Sequence, residues 1–151
     1  MYLKEILNSY GDKKIKLYID MDGVIADYDV GKPGNFDKKR PLYTSIDKLK
    51  EISFMDNVSL HILSITRKDI GIYEKNIWLD KYMPFINKNN RFILSKEEDS
   101  KSSSELKVDF LKNIKREDEV IILIDDDPLI LKSVMDNVND IVLLKDTVLV
   151  D

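Results

Sequence analysis

IDMDGVIAD, at positions 19–27, is the stretch of this sequence that decides the fold. It follows the apolar segment IKLY at 15–18, which is typical of a buried strand. The carboxylates of Asp20 and Asp22 therefore stand where that strand ends, and Gly23 allows a sharp turn directly after them. Ligands bind at the carboxyl ends of strands in open α/β sheets. Because such carboxylates repel each other unless a cation or a shared proton lies between them, the stretch predicts a site for Mg²⁺.

The composition describes an ordinary soluble protein of one-domain size. The chain has 151 residues, of which 43% are hydrophobic, and this suffices for a sizeable core. Its net charge of -4 argues against strong general nucleic-acid binding. The absence of cysteine excludes disulfides and thiol nucleophiles and is compatible with a reducing compartment. No signal peptide or membrane-spanning run is visible, so we expect a cytoplasmic protein without a membrane partner.

Strand-like and helix-like segments alternate along the chain. Because the predicted strands are apolar throughout, both faces of the sheet should be covered, which is typical of a mainly parallel sheet in a three-layer α/β/α Rossmann-like fold. No repeat or linker divides the chain, so we predict one domain over 1–151. Strands are predicted at 14–20, 58–64, 91–95, 120–124 and 141–144, with a further short one at 148–150, and helices at 3–10, 45–55, 73–82, 104–114 and from Pro128 onward.

Several other residues are given structural roles. Ser104 is predicted to cap the fourth helix. Phe54 is placed with the apolar residues of the second helix, and Trp78 is interpreted as a core residue. His61 is interpreted as a packed core or edge residue of the second strand rather than a catalytic base. Residues 27–44 are predicted to be a loop because glycines and prolines interrupt them.

Four groups of reactive side chains stand at the ends of predicted elements. Parallel strands end at the same edge of a sheet, so these groups are expected to meet there. In chain order they are Asp20 and Asp22 after the first strand, Ser64 at the end of the second, Lys107 at the start of a helix, and Asp125 with Asp126 after the strand at 120–124.

The order of these groups resembles the haloacid dehalogenase-like (HAD) superfamily of aspartate-nucleophile phosphatases. Its pattern is DxDG, a Ser or Thr ending the second strand, a Lys before a later helix, and an acidic pair after another strand. The resemblance implies a HAD-like fold and Mg²⁺-dependent hydrolysis of phosphate monoesters. IDMDGVIADYD at 19–29 and LIDDDP at 123–128 are most similar to the 5′(3′)-deoxyribonucleotidase group, which implies a nucleoside monophosphate as the small phosphorylated substrate.

The resemblance also implies a role for each group. Asp20 would be the nucleophile that forms an aspartyl-phosphate. Asp22 would be general acid for the leaving alcohol and then general base for water. Ser64 would donate a hydrogen bond to the phosphoryl group, and Lys107 would neutralise the charge on that group and on Asp20. The implied Mg²⁺ site consists of Asp20, the main-chain carbonyl of Asp22, Asp125 and Asp126, and the resemblance leaves open whether Asp125 or Asp126 is the main ligand of the acidic pair.

Two of these assignments have rivals in the sequence. Thr66 competes with Ser64 for the phosphate, and Ser64 is preferred because it ends the apolar run. Lys101 and Lys96 compete with Lys107. Lys107 is preferred because apolar residues follow it three, four and seven positions later.

Other charged residues have two interpretations each. Arg67 and Lys68, just past the second strand, either hold a distal part of the substrate or belong to a solvated loop. The basic triplet at 38–40 is interpreted as a solvated loop, with local phosphate contact as the alternative. Asp127 is interpreted either as a helix cap or as a solvated residue.

The intervals between the motifs leave no room for a full cap domain. A flap at 28–43 would therefore shape the entrance, with Phe36, the basic triplet and Tyr43. Specificity would come from this flap, from Arg67 and Lys68, or from a neighbour in a homo-oligomer. An open site also permits larger substrates. One alternative is therefore a phosphatase acting on nucleic-acid 3′ ends or another macromolecule. A separate alternative is a non-catalytic HAD-like binding module.

Overall fold

Five parallel strands form the central sheet of the computed structural model, which describes residues 2–28 and 34–150. This confirms the predicted α/β fold. The strands are β1 (Lys14–Ile19), β2 (Val58–Thr66), β3 (Arg91–Ser95), β4 (Glu119–Asp125) and β5 (Ile141–Lys145). Their order across the sheet is β3-β2-β1-β4-β5, so the strand that precedes DxDG lies at the centre.

Helices cover both faces of the sheet. Alternate residues of a strand point to opposite faces, so Leu17 of β1 packs in one apolar cluster and Tyr18 in the other. Helices α1 (Leu3–Asn8), α2 (Tyr43–Ile52) and α3 (Ile70–Tyr82) contribute to the first cluster, and α4 (Ser103–Asn113) and α5 (Pro128–Asn137) to the second. None of the helices in the described ranges is both long and apolar enough to cross a bilayer.

Two predictions made from apolar residues are not met in the structure: the burial of Phe54 and the strand at 148–150. Phe54 is 78% exposed, because α2 ends at Ile52 and the chain turns before it reaches Phe54. The predicted strand at 148–150 is wrong, since a 3₁₀ helix, Asp146–Leu149, occupies this segment. Val148 and Leu149 are nevertheless buried, so their apolar character reflects core packing rather than sheet pairing.

Side-chain caps start the two helices of the second face. Ser102, not Ser104, caps α4: its hydroxyl accepts the main-chain N–H of Glu105 at 3.2 Å, and the Glu105 carboxylate reaches back to Ser102. Such a reciprocal capping box needs Glu or Gln three residues after the cap, which Ser104 does not have. Asp127 caps α5, as predicted, by accepting the N–H of Leu129 at 2.9 Å.

His61 lies in an aromatic cluster on the second face. Its ring stacks on Tyr18, with centroids 4.9 Å apart, and lies 6.1 Å from the ring of Phe92. Its Nε2 is 2.9 Å from the Ser59 hydroxyl, and its buried Nδ1 has no hydrogen-bond partner among the described residues. Burial lowers the pKa of His61 to about 4, and the charge of Lys16 acts in the same direction. His61 is therefore a neutral core residue.

This buried histidine makes stability depend on pH. An unfolded histidine binds a proton below pH 6.5, whereas folded His61 does so only below about 4, so acidification favours the unfolded state. We expect this residue to cost about 2 to 3 kcal/mol of stability as pH falls from 6.5 to 4. Urea unfolding of wild type and His61→Gln across this range measures it. Equal pH dependence of the two proteins would contradict the prediction.

Candidate active site

The carboxyl ends of β1 and β4 bring three carboxylates together. Ile19 pairs with Ile124, and the N–H of Asp20 donates to the Ile124 carbonyl at 3.0 Å. Asp20 and Asp125 therefore leave neighbouring strands at the same level, and both are buried. One carboxylate oxygen from each of Asp20, Asp125 and Asp126 lies within 4.8 Å of the other two. We call these three residues the acidic cluster.

Lys107 lies inside this cluster. Its Nζ donates to Asp20 Oδ1 at 2.9 Å and to Asp125 Oδ2 at 2.6 Å, and its side chain is almost fully buried. Burial lowers the pKa of Lys107, but the two carboxylates outweigh burial, so the net pKa is raised. The rival lysines have other partners. Lys101 forms an exposed ion pair with Asp109 of α4, and the Nζ of Lys96 lies 3.4 Å from the Ser103 hydroxyl.

Negative charge exceeds positive charge in the acidic cluster. Burial raises the pKa of Asp20, and Asp125 adds to this, while Lys107 opposes it. Burial and the charges of Asp20 and Asp125 raise the pKa of Asp126 to about 7. A hard divalent cation relieves such an excess, and carboxylate oxygens are the ligands that Mg²⁺ prefers. The donor set therefore fits Mg²⁺.

Gly23 allows Asp126 to approach DxDG closely. Its φ of +79° lies in the region that favours glycine. A Cβ at this position would collide with the Asp126 carboxylate. The glycine after Asp22 is thus required both for the turn and for the shape of the acidic cluster.

A second buried lysine, Lys75 of α3, completes the other side of the site. Its Nζ donates to the Ser64 hydroxyl at 2.6 Å, to the Ile65 carbonyl at 2.9 Å and to Asp22 Oδ2 at 3.2 Å. Burial lowers the pKa of Lys75, although Asp22 and Asp20 partly offset this. Sequence reasoning missed Lys75. The available signal was its spacing, since it shares the buried face of α3 with residues at i−4, i+3 and i+4.

The carboxylate of Asp22 points away from the acidic cluster. It faces two ammonium groups, Lys75 at 3.2 Å and Lys39 at 3.9 Å, and is 30% exposed. This separation leaves the Asp22 side chain available for proton transfer. The role of its main-chain carbonyl as a metal ligand stays a prediction.

Part of the predicted flap packs tightly on α3. The buried ring of Phe36 meets the Trp78 ring edge-on at 5.9 Å, and Trp78 Nε1 donates to the Lys39 carbonyl at 2.9 Å. The solvated-loop interpretation is therefore wrong for Lys39, whose side chain is only 11% exposed. Tyr43, expected at the entrance, instead starts α2 and packs against the Tyr82 ring. Residues 29–33 of the flap lie outside the described residues.

A groove of about 930 Å³ leads away from Asp22. We call it the basic groove. One wall comes from Tyr28, Gly34, Phe36 and Lys39. The other comes from the end of β2, the start of α3 and the residues after β3. Thr66 lines it, but its hydroxyl is bonded to the Lys68 carbonyl at 3.2 Å, whereas Ser64 shares the Lys75 ammonium group with Asp22. Its charged lining residues are Asp22, Lys39, Arg67, Lys68, Glu74, Lys75, Lys96 and Glu97.

Replacing Lys75 by methionine is expected to lower kcat of the proposed phosphatase reaction by about 10²- to 10³-fold. The change removes an ammonium group that contacts both Ser64 and Asp22. Steady-state kinetics on p-nitrophenyl phosphate measures the effect, with Lys81→Met on the exposed face of the same helix as the matched control. A Lys75→Met variant as active as the control would show that this lysine has no part in turnover.

Comparisons with known proteins address the fold. The chain matches no protein-family model, and the search of curated proteins found no similar sequence. A chain of the Pnkp1/Rnl/Hen1 RNA repair complex has a TM-score of 0.68 and 16% identity, over 89% of this chain and 43% of that one. The present chain thus spans less than half of that chain's length.

Two further solved structures are similar. The HAD domain of the effector Lem4 from Legionella pneumophila has a TM-score of 0.57 and 13% identity, over 87% of this chain and 84% of that one. The N-terminal part of BF1531 from Bacteroides fragilis, which contains a phosphatase domain complexed with Mg, has a TM-score of 0.59 and 14% identity, over 92% of this chain and 38% of that one. The chain therefore has a HAD-like α/β fold.

Proposed function

We propose that this chain is a Mg²⁺-dependent phosphomonoester hydrolase that acts through an aspartyl-phosphate on Asp20. The observation that carries the proposal is the position of Asp20, which follows the central strand with Lys107 bonded to one of its carboxylate oxygens. Asp22 and Lys75 lie on the other side of the DxDG turn. The similarity to a phosphatase domain complexed with Mg supports the same reaction class.

The first half of the reaction uses Asp20 and Asp22. A carboxylate oxygen of Asp20 attacks the phosphorus, and the bond to the substrate alcohol breaks. Asp22 gives its proton to the leaving alkoxide, so the alcohol departs neutral. Lys107 favours the ionised, nucleophilic form of Asp20. Lys75 and Ser64 stand together beside Asp22, where both can donate hydrogen bonds to the phosphoryl oxygens.

The second half regenerates the enzyme. Asp22, now ionised, takes a proton from water as the water oxygen attacks the phosphorus of the aspartyl-phosphate. The bond between phosphorus and the Asp20 oxygen breaks, which releases inorganic phosphate and restores the carboxylate. Mg²⁺ held by Asp20, Asp125, Asp126 and the Asp22 main-chain carbonyl would supply positive charge against the repulsion between carboxylate and phosphate.

Nucleoside monophosphates are the substrate class that we propose. The similarity of residues 19–29 and 123–128 to the nucleotidase group supports this choice. The basic groove also has the volume of a small-molecule site, for which about 300–1,000 Å³ is typical. Tyr28 and Phe36 line it, so aromatic rings are present that a base could contact.

A phosphatase acting on nucleic-acid 3′ ends is the second candidate. The fold similarity to a chain of an RNA repair complex favours it. Exposed cations along the groove also suit a substrate that continues beyond the site.

Phosphate release from a panel of substrates tests the proposal. The panel contains p-nitrophenyl phosphate, 5′- and 3′-mononucleotides and oligonucleotides with a 3′-phosphate, each with Mg²⁺ and with chelator. We expect Mg²⁺-dependent release, with mononucleotides preferred. Preference for the oligonucleotides would establish the second candidate instead. No release by folded protein on any substrate would contradict the phosphatase proposal and favour a binding module.

A further inference from the structure

The basic groove carries more positive charge than the proposed reaction uses. Lys107 and Lys75 face the groups that handle the phosphate to be hydrolysed. Besides Lys75, four more cations line the basic groove. The chain as a whole has a net charge of -4. We call these four residues, Lys39, Arg67, Lys68 and Lys96, the groove cations.

The groove cations are largely free of carboxylate partners. Within residues 2–28 and 34–150, Arg67, Lys68 and Lys96 form no ion pair, and Lys39 has only the 3.9 Å contact with Asp22. Cations gathered around one cavity without neutralising partners indicate an anionic ligand.

Three carboxylates line the groove beside its five cations, and within residues 2–28 and 34–150 none of the three forms an ion pair with Arg67, Lys68 or Lys96. Glu97 accepts the main-chain N–H of Asp69 at 2.8 Å, and Glu74 lies against Asp37 and Phe36 on the flap side. Asp22 is already shared between Lys75 and Lys39. The lining of the groove as a whole therefore keeps a net positive charge.

The groove cations extend from beside Asp22 to the end of β3. Lys39 is held close to Asp22, with its Nζ 5.7 Å from the Tyr28 ring and 5.6 Å from the Phe36 ring. Lys96 follows β3, and its N–H donates to the Thr66 carbonyl at 2.9 Å. Because β3 lies two strands from β1 and adjacent strands are about 4.8 Å apart, the end of β3 is about 10 Å from the strand that carries Asp20.

We infer that the basic groove binds a second phosphate of the substrate, next to the phosphomonoester that is hydrolysed. This inference rests on the proposed function and narrows its substrate class. Arginine beside lysines is suited to phosphate oxygens, because the guanidinium donates two parallel hydrogen bonds and the ammonium groups add point charges. Two sources share this chemistry: a nucleoside 3′,5′-bisphosphate, and a terminally phosphorylated oligonucleotide whose next phosphate is a diester.

The test compares matched substrates that differ by one phosphate. We measure kcat/KM for a nucleoside 3′-monophosphate, the 3′,5′-bisphosphate of the same nucleoside, and a dinucleotide with a 3′-phosphate. The second phosphate is expected to raise kcat/KM about tenfold or more, mainly through a lower KM. Preference for the bisphosphate indicates a small metabolite, and preference for the dinucleotide indicates a nucleic-acid end.

Variants assign the effect to the groove. In Arg67→Gln/Lys68→Gln/Lys96→Gln, the preference for the second phosphate is expected to fall toward one. The matched control, Lys13→Gln/Lys50→Gln/Lys112→Gln, removes three exposed charges that do not line the groove and should retain the preference. Equal loss in both variants would mean that net charge alone causes the preference, which would overturn the inference.

Two readouts separate this inference from the proposed function. Hydrolysis of p-nitrophenyl phosphate with no preference for a second phosphate overturns the inference and leaves the phosphatase proposal intact. If nothing is hydrolysed, binding still tests the inference. We then measure by calorimetry the Kd of Asp20→Asn for the nucleoside monophosphate and for the bisphosphate. Tighter binding of the bisphosphate supports the second phosphate site, and equal binding overturns it.

Discussion

Asp20→Asn is expected to lower Mg²⁺-dependent phosphate release by at least about a thousandfold. The amide keeps the size of the side chain but is not a nucleophile, so no aspartyl-phosphate forms. The change also removes one of the three carboxylates of the acidic cluster, which weakens any metal site there. Initial rates on p-nitrophenyl phosphate measure the loss.

Loss of folding would not explain this result. Burial raises the pKa of Asp20, and the charge of Asp125 adds to this, so a neutral amide is easier to bury there while Lys107 keeps Asp125 as a partner. Urea unfolding should therefore show a variant at least as stable as wild type in chelator. Asp118→Asn, an exposed change outside the site, is the activity control. Asp20→Asn turnover close to that of Asp118→Asn would exclude Asp20 as the nucleophile.

Lys107→Met is expected to destabilise the protein by about 3–5 kcal/mol, measured by urea unfolding in chelator. The Lys107 Nζ bonds two buried carboxylates, Asp20 and Asp125, and its removal leaves both without this cation. Activity should be lost as well, because the charge beside the nucleophile disappears. This stability effect is large because the cost comes from uncompensated buried charge rather than from lost packing.

A matched variant on the same helix separates this effect from a change in helix propensity. Lys112 of α4 is exposed, and Lys112→Met should change stability by no more than about 0.5 kcal/mol. Adding Asp20→Asn and Asp125→Asn to Lys107→Met should restore part of the lost stability, because the buried charges are then removed together. Equal stability of Lys107→Met and Lys112→Met would contradict the described geometry.

The sheet and the acidic edge of the site could be predicted because they depend on local patterns. The apolar runs before Asp20 and Asp125 are long enough to mark buried parallel strands. Parallel strands end at one edge, so chain order alone brings these carboxylates together. Lys107 was identifiable because apolar residues follow it at helical spacing, and the structure places it between Asp20 and Asp125.

The rest of the site depends on tertiary contacts that no local pattern shows. Lys75 looks like any lysine of a lysine-rich chain until α3 packs its buried face on the sheet. Lys39 reaches Asp22 because the flap is held on α3. Trp78 Nε1 donates to the Lys39 carbonyl, and the Phe36 ring packs against the Trp78 ring. Both lysines are thus placed by contacts between segments far apart in the sequence.

Identification of the covalently phosphorylated residue decides whether Asp20 is the nucleophile. The protein is mixed with p-nitrophenyl phosphate and Mg²⁺, quenched in acid within the first turnover, digested and analysed by mass spectrometry. Asp22→Asn is treated in parallel, because loss of the general base should slow hydrolysis of the intermediate. We expect one phosphoryl group on the peptide that contains Asp20. A protein that releases phosphate but carries the phosphoryl group on another residue, or on none, would contradict this expectation.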